Sequence, residues 1–186
     1  MKIVSAPHPS LRQTAKSVEK VTPKLIEFIS QLQDTLAKSV DSKGVGLAAP
    51  QVESKRRIFA TQDEGQLAHF INPVVVSHSR SKILGPDEEN YQLEGCLSIP
   101  MIYGPVPRWQ WIEIEFQTLD NEDSAKLISR QARFDDFVAR VIQHEIDHLD
   151  GILFTDYILE LGLPVYIQNQ DDKLVDLTDR SILEVF

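Results

Sequence analysis

The stretch Gln143-His144-Glu145-Ile146-Asp147-His148-Leu149-Asp150-Gly151 decides how the rest of this chain is read. Positions i and i+4 of a helix lie about 40° apart around the axis, one turn along. A helix through this stretch turns the imidazoles of His144 and His148 toward one point, where they can bind one metal ion. Glu145 sits beside that face, placed to take a proton from a water there. Gly151 is the residue type that commonly ends a helix in the left-handed conformation. Two histidines four apart also occur on ordinary surface helices, so the pattern asks for a third ligand.

Zinc peptidases built on H-E-x-x-H usually find that ligand downstream. The extended pattern needs a histidine at position 154, but the residue is Phe154 and no histidine follows His148. Glu160 and Glu184 remain as acidic alternatives, neither in a motif. Upstream stands Cys96, the only cysteine in the chain. A lone cysteine forms no internal disulfide, and on its own it reads as a small buried hydrophobe. Its setting, Glu94-Gly95-Cys96-Leu97-Ser98, favours the ligand instead.

Working outward, Asp135 caps the metal helix and Asp136 adds negative charge to its first turn. Phe137 and Val141 share the histidine face, so they can wall an apolar pocket or serve as core. Before the helix, Trp111 to Phe116 alternates as a half-buried strand should, turns at Asp120 to Asp123, and meets a partner strand, Ala125 to Phe134. Residues 57–61 and 67–71 read as strands, Asn72-Pro73 breaks the run, and Val74 to Leu84 forms another extended segment. His69 and His78 lie in these strands and read as structural, and Gly85 to Asn90 as a solvated acidic loop. Pro100, Pro105 and Pro107 exclude a helix after Cys96.

Residues 1–22 read as an irregular arm. Thr22-Pro23 is a helix start, and Leu25, Ile29, Leu32 and Leu36 give a core-facing stripe ending near Ser42. The small-residue run Gly44-Val45-Gly46-Leu47-Ala48-Ala49-Pro50-Gln51 lets backbone approach another group closely, and lacks the pattern of a phosphate loop. Gln51 offers a side-chain amide that can donate to an oxyanion. After Gly162, segments 163–168 and 173–177 read as a hairpin.

At 186 residues and a net charge of −9, the chain suits one domain over residues 1–186 and disfavours stable, nonspecific nucleic-acid or anionic-membrane binding. The start has no signal-peptide pattern, no run approaches a membrane span, and one unpaired cysteine suits a reducing compartment. The expected location is the cytoplasm. The expected fold class is α+β: antiparallel strands and hairpins packed around a central metal-binding helix, with an N-terminal helix.

Three motifs stand in order: GVGLAAPQ at 44–51, EGCLS at 94–98 and QHEIDHLDG at 143–151. Together they resemble the peptide deformylases, with weaker similarity over roughly residues 3 to 158. The resemblance implies removal of the N-formyl group from the initiator formyl-methionine of nascent polypeptides, releasing formate. It implies Cys96, His144 and His148 as metal ligands, leaving a fourth place for water. The implied ion is ferrous iron, with zinc, nickel or cobalt able to replace it. Glu145 corresponds to the general base, and the Gln51 side chain with the Leu97 backbone N–H to the oxyanion donors. Gly46 leaves room for the formyl group, while Val45, Phe137 and Val141 line the methionine pocket. Glu94 and Arg108 correspond to an ion pair bracing the cysteine segment.

The chain departs from the family pattern in three places. Relatives often have Gly after Pro100 and Arg at 103, where this chain has Met101 and Tyr103, and Tyr103 is expected to hold the peptide differently. Arg140 stands where some relatives have an apolar pocket residue. The tail carries Lys173 and Arg180 against five acids, so a basic C-terminal helix for ribosome docking is absent and only a transient contact is expected. An H-E-x-x-H peptidase is the rival enzyme and gives no role to Cys96 or Gln51. A metal-binding protein without activity is the rival of another class, and gives no role to Glu145.

Overall fold

The computed structural model describes residues 1–39, 44–85, 90–120 and 126–186. Helix α1 (Pro23–Ala37) starts where Thr22 accepts a hydrogen bond from the Leu25 N–H and proline takes the first turn. Its buried face carries Leu25, Phe28, Ile29, Leu32 and Leu36. The helix stops at Ala37, short of the expected Ser42. The Ser39 N–H reaches back to Leu36 rather than to Thr35, which winds the last turn tight. Ser42 itself lies outside the described residues.

The strands follow as β1 (Gly46–Ala48), β2 (Ile58–Asp63), β3 (Gln66–His78), β4 (Lys82–Ile83), β5 (Leu93–Cys96), β6 (Ile99–Pro105), β7 (Arg108–Trp109), β8 (Trp111–Leu119) and β9 (Leu127–Asp135). Helices α2 (Asp136–Leu149) and α3 (Phe154–Leu161) come next, then β10 (Tyr166–Gln168) and β11 (Leu174–Asp176). One sheet runs β1-β2-β3-β8-β9 and a second β11-β10-β6-β5, all pairs antiparallel, while β4 pairs with β7. This is the expected α+β class.

Alternate residues of β2 face different partners, as the strand period requires. Ile58 and Ala60 pack with α1, whereas Phe59 packs with Ala139, Ile142 and Leu149 of α2. On β8, Ile112 and Ile114 are buried between the more exposed Glu113 and Glu115. A third cluster joins Leu11, Ile99, Ile102, Val106 and Phe154 below the second sheet. Helix α2 thus rests its apolar residues on the first sheet and turns its histidines toward β5 of the second.

Several local expectations are corrected. Asn72-Pro73 does not end a strand but sits in a bulge within β3, with Asn72 at φ 53°. The Asn72 side chain accepts from the Val18 N–H and donates to the Val18 carbonyl, which holds the bulge in place. The arm 1–22 contains a 3₁₀ turn, Pro9–Arg12, that buries Leu11. Helix α3 was not anticipated, although Phe154, Ile158 and Leu161 fall at helical spacing and Gly162 ends it at φ 63°. Most of the expected acidic loop 85–90 and of the expected turn 120–123, residues 86–89 and 121–123, lies outside the described residues. No helix among those described is long and apolar enough to cross a membrane.

Candidate metal centre

The site is assembled from the end of β5, the 3₁₀ turn after β1, and the C-terminal half of α2. Asp135 occupies the N-cap of α2, but no helix N–H bonds its side chain. Its carboxylate accepts from Arg133 at 2.8 Å instead, so the expected side-chain cap is absent. From there the helix delivers His144 and His148 one turn apart, both buried, with the rings at 84° and centroids 4.9 Å apart.

Cys96 meets them from β5. Its Sγ lies 3.2 Å from His148 Nε2, and one ligand atom from each of Cys96, His144 and His148 falls within 4.8 Å of the others. Glu160 and Glu184 are not part of this group. The sulfur also accepts from Gln51 Nε2 at 3.5 Å and from the Ser98 N–H at 3.4 Å. Gln51 is oriented from both ends: its Oε1 accepts from the Ala48 N–H and its amide nitrogen donates to Ser98 Oγ. Leu97 lies between Cys96 and Ser98 in the same turn.

Behind the histidines is a buried ionic network. Glu94 accepts from His144 Nδ1 at 2.9 Å, which leaves His144 Nε2 for the site. Arg108 grips both Glu94 oxygens at 2.8 and 2.9 Å and reaches Asp147 with its remaining nitrogen. The expected Glu94–Arg108 pair is therefore present, but it carries more partners than sequence reading assigned. Arg140 donates to Glu94 at 3.0 Å and to the carbonyls of Val106 and Ile83. Burial opposes charge on Glu94, yet Arg108 and His144 hold its carboxyl well below the usual range. Breaking such a buried pair typically costs about 3–5 kcal/mol.

These charges set the state of the two rings. Burial and the nearby positive groups keep His148 well below its ordinary value, so it stays neutral with a lone pair to share. Burial also disfavours charge on His144, but Cys96 and Glu94 outweigh it and push that ring up. A proton and a metal compete for the same lone pair. The His148 Nδ1 is buried and has no partner.

Glu145 is 3 % exposed, its Oε2 has no partner, and burial pushes its carboxyl up to about 7. Gly46 lies against it: a Cβ at Gly46 would collide with the Glu145 carboxylate. The space at this glycine is thus filled first by the acid itself, which refines the expected role of leaving room for the formyl group.

A cleft of about 570 Å³ opens over these residues, with Val45, Leu97, Tyr103, Phe137 and Val141 in its walls. Phe137 is 48 % and Val45 37 % exposed, so apolar surface faces the opening. Arg140 borders the cleft but turns its guanidinium inward to Glu94. Sequence reading missed this partnership. An arginine one turn before His144 on a buried face calls for a carboxylate, and that signal was available. Gln168, also missed, reaches the cleft from β10. A shallower groove of about 700 Å³ beside Lys16, Phe28 and Arg56 includes none of the ligand or acid residues. His69 bonds the Leu119 N–H and His78 stacks on Trp109, both outside the cluster.

The comparisons with known proteins agree with one another. A model of the polypeptide deformylase family matches residues 1–162. The chain is 38 % identical over 154 residues to a peptide deformylase of Desulforudis audaxviator, covering 83 % of this chain and 90 % of the relative. It is 36 % identical over 183 residues to peptide deformylase 2 of a Nostoc species, covering 93 % of each. Among solved structures it resembles the peptide deformylase of Thermotoga maritima, with a TM-score of 0.70 and 30 % identity over 84 % of this chain and 95 % of that one. The chain belongs to the polypeptide deformylase family, metal-dependent hydrolases that remove the N-formyl group from nascent peptides.

Proposed function

We propose that Cys96, His144 and His148 hold one divalent ion with which this deformylase hydrolyses the N-formyl group of initiator methionine. The observation that supports this most is the meeting of their three ligand atoms beside the buried, unpartnered carboxylate of Glu145. A thiolate and two imidazoles suit a late first-row cation, and three protein ligands match a catalytic site with a position left open. Ferrous iron is the ion we assign, with zinc, nickel or cobalt able to substitute. When bound, such an ion supplies Lewis-acid polarisation of the formyl carbonyl and acidifies a water.

The remaining work falls to the chain. Glu145 accepts the proton of the attacking water and later delivers it to the departing amine. Its elevated value suits this exchange, and a cation nearby draws it downward toward the ionised form. The Gln51 amide and the Leu97 N–H stabilise the oxyanion, where one donor is worth roughly 3 kcal/mol. Val45, Phe137 and Val141 receive the methionine side chain, Gly46 admits the Glu145 carboxylate beside it, and Tyr103 borders the peptide. Products are formate and a free N-terminus.

Formylated nascent chains place the reaction in the cytoplasm, and contact with the ribosome is transient. The net charge of −9 supports no stable grip on nucleic acid. The whole chain acts as one catalytic domain. Anaerobically purified protein with its metal quantified should release formate from a formyl-Met peptide. Stoichiometric metal without formate release would contradict this reading.

A further inference from the structure

Residues 163–186 lie beyond the part of the chain that the family model covers, yet one of them, Gln168, lines the cleft. Strand β10 joins β6 through Tyr166↔Tyr103 and Ile167↔Ile102, extending the sheet that carries Cys96 on β5. Gln168, the last residue of β10, stands in the cleft wall. The Tyr103 hydroxyl donates to its Oε1 at 3.2 Å, and its own Nε2 donates to Asp172 at 3.3 Å. Tyr103 is fixed in turn, because its ring lies against Gly95, where a Cβ would come within 2.6 Å.

The segment is anchored on both sides of the β10–β11 hairpin. Val165 and Leu183 are each 2 % exposed in the cluster with Val4 and Leu11. Arg12 donates to the Phe186 carbonyl while gripping Asp156 with two nitrogens. Strand β10 therefore cannot leave β6 without uncovering core.

At this rim the cleft wall offers a phenol and an amide, and the exposed Asp172 carboxylate stands behind the amide. The nearest cationic wall residue, Arg140, has committed its guanidinium to Glu94. An amide donates and accepts equally well and has no preference between charges. We propose that Gln168, positioned by Tyr103 and Asp172, is a specificity-determining residue that meets the side chains following the formyl-methionine. As an uncharged wall residue, its amide adds no preference of its own between acidic and basic next residues, with Asp172 standing behind it. The inference rests on the deformylase reading given above.

The test uses the metal-loaded, full-length protein and two probes, formyl-Met-Lys-Lys and formyl-Met-Asp-Asp. The readout is the ratio of their kcat/KM values, which loss of fold or metal lowers for both and leaves unmoved. Relative to wild type, Gln168→Glu should shift the ratio about threefold toward the lysine peptide, the scale of one partly exposed charge pair. Gln168→Lys should shift it about threefold the other way. Gln31→Glu on exposed α1 should leave the ratio at the wild-type value. Ratios unchanged in both Gln168 variants, or an equal shift from Gln31→Glu, overturn the inference while deformylation stands. Wild type releasing formate from neither probe overturns the deformylase reading, and the inference with it.

Discussion

Helices α1 and α2 are nearly equal in length, at 15 and 14 residues, and both pack on the five-stranded sheet. They bury opposite kinds of side chain. The inner face of α1 is Leu25, Phe28, Ile29, Leu32 and Leu36, with Thr35 as its one buried polar residue. The inner face of α2 holds Arg140, Gln143, His144, Glu145 and His148 beside only Ala139, Ile142 and Leu149. Burying apolar surface is favourable by itself, whereas buried charge must find partners. Four of the polar groups on α2 do so: Arg140 and His144 on Glu94, Gln143 on the Trp109 backbone, and His148 facing Cys96. Glu145 has an oxygen that does not, and one nitrogen of His148, Nδ1, is likewise left without a partner. The geometry of Glu145, a buried acid beside the three candidate ligands, is what sets this face apart from that of α1.

The comparison can be broken most forcefully at that acid. Glu145→Gln keeps the shape and removes the base, so kcat should fall by about 10²–10⁴ while bound metal and thermal stability persist. Formate release and metal content on the same sample check this. If activity survives, the polar face of α2 has been misread.

The matching change on α1 is Leu32→Ala, at a side chain with no exposure in the core. It should cost about 2–5 kcal/mol of stability through lost burial and the cavity left behind. Denaturant titration measures this, and the folded fraction should keep its metal and its kcat. A fall in kcat of the size expected for Glu145→Gln would erase the distinction between the helices. Smaller still, Thr22→Ala removes the cap of α1 and should cost about 1 kcal/mol with turnover unmoved.

Legibility followed the same division. The Thr22 cap placed the start of α1 and alternation placed the β8–β9 pair, because each depends on neighbours in sequence. The three motifs brought Cys96, Gln51, His144 and His148 together on the page, and the fold brings them together in space. Features set by distant residues were not legible. Asn72 stays within β3 because Val18 bonds its side chain, Asp135 leaves its capping role for Arg133, and Gly46 is shaped by Glu145 from another element. Arg140 and Gln168 acquire meaning only when Glu94 and Tyr103 stand next to them. Helix α3 could have been read, since its spacing and terminal glycine were both in view.

The central claim is that Cys96 joins the two histidines of α2 in holding the metal that deformylation needs. It is tested most directly on Cys96→Ala, by measuring metal per protein and formate release from a formyl-Met peptide together. Two imidazoles alone hold a divalent ion poorly, so both quantities should fall to background while the protein remains folded. A Cys96→Ala protein with stoichiometric metal and full deformylation would contradict the account.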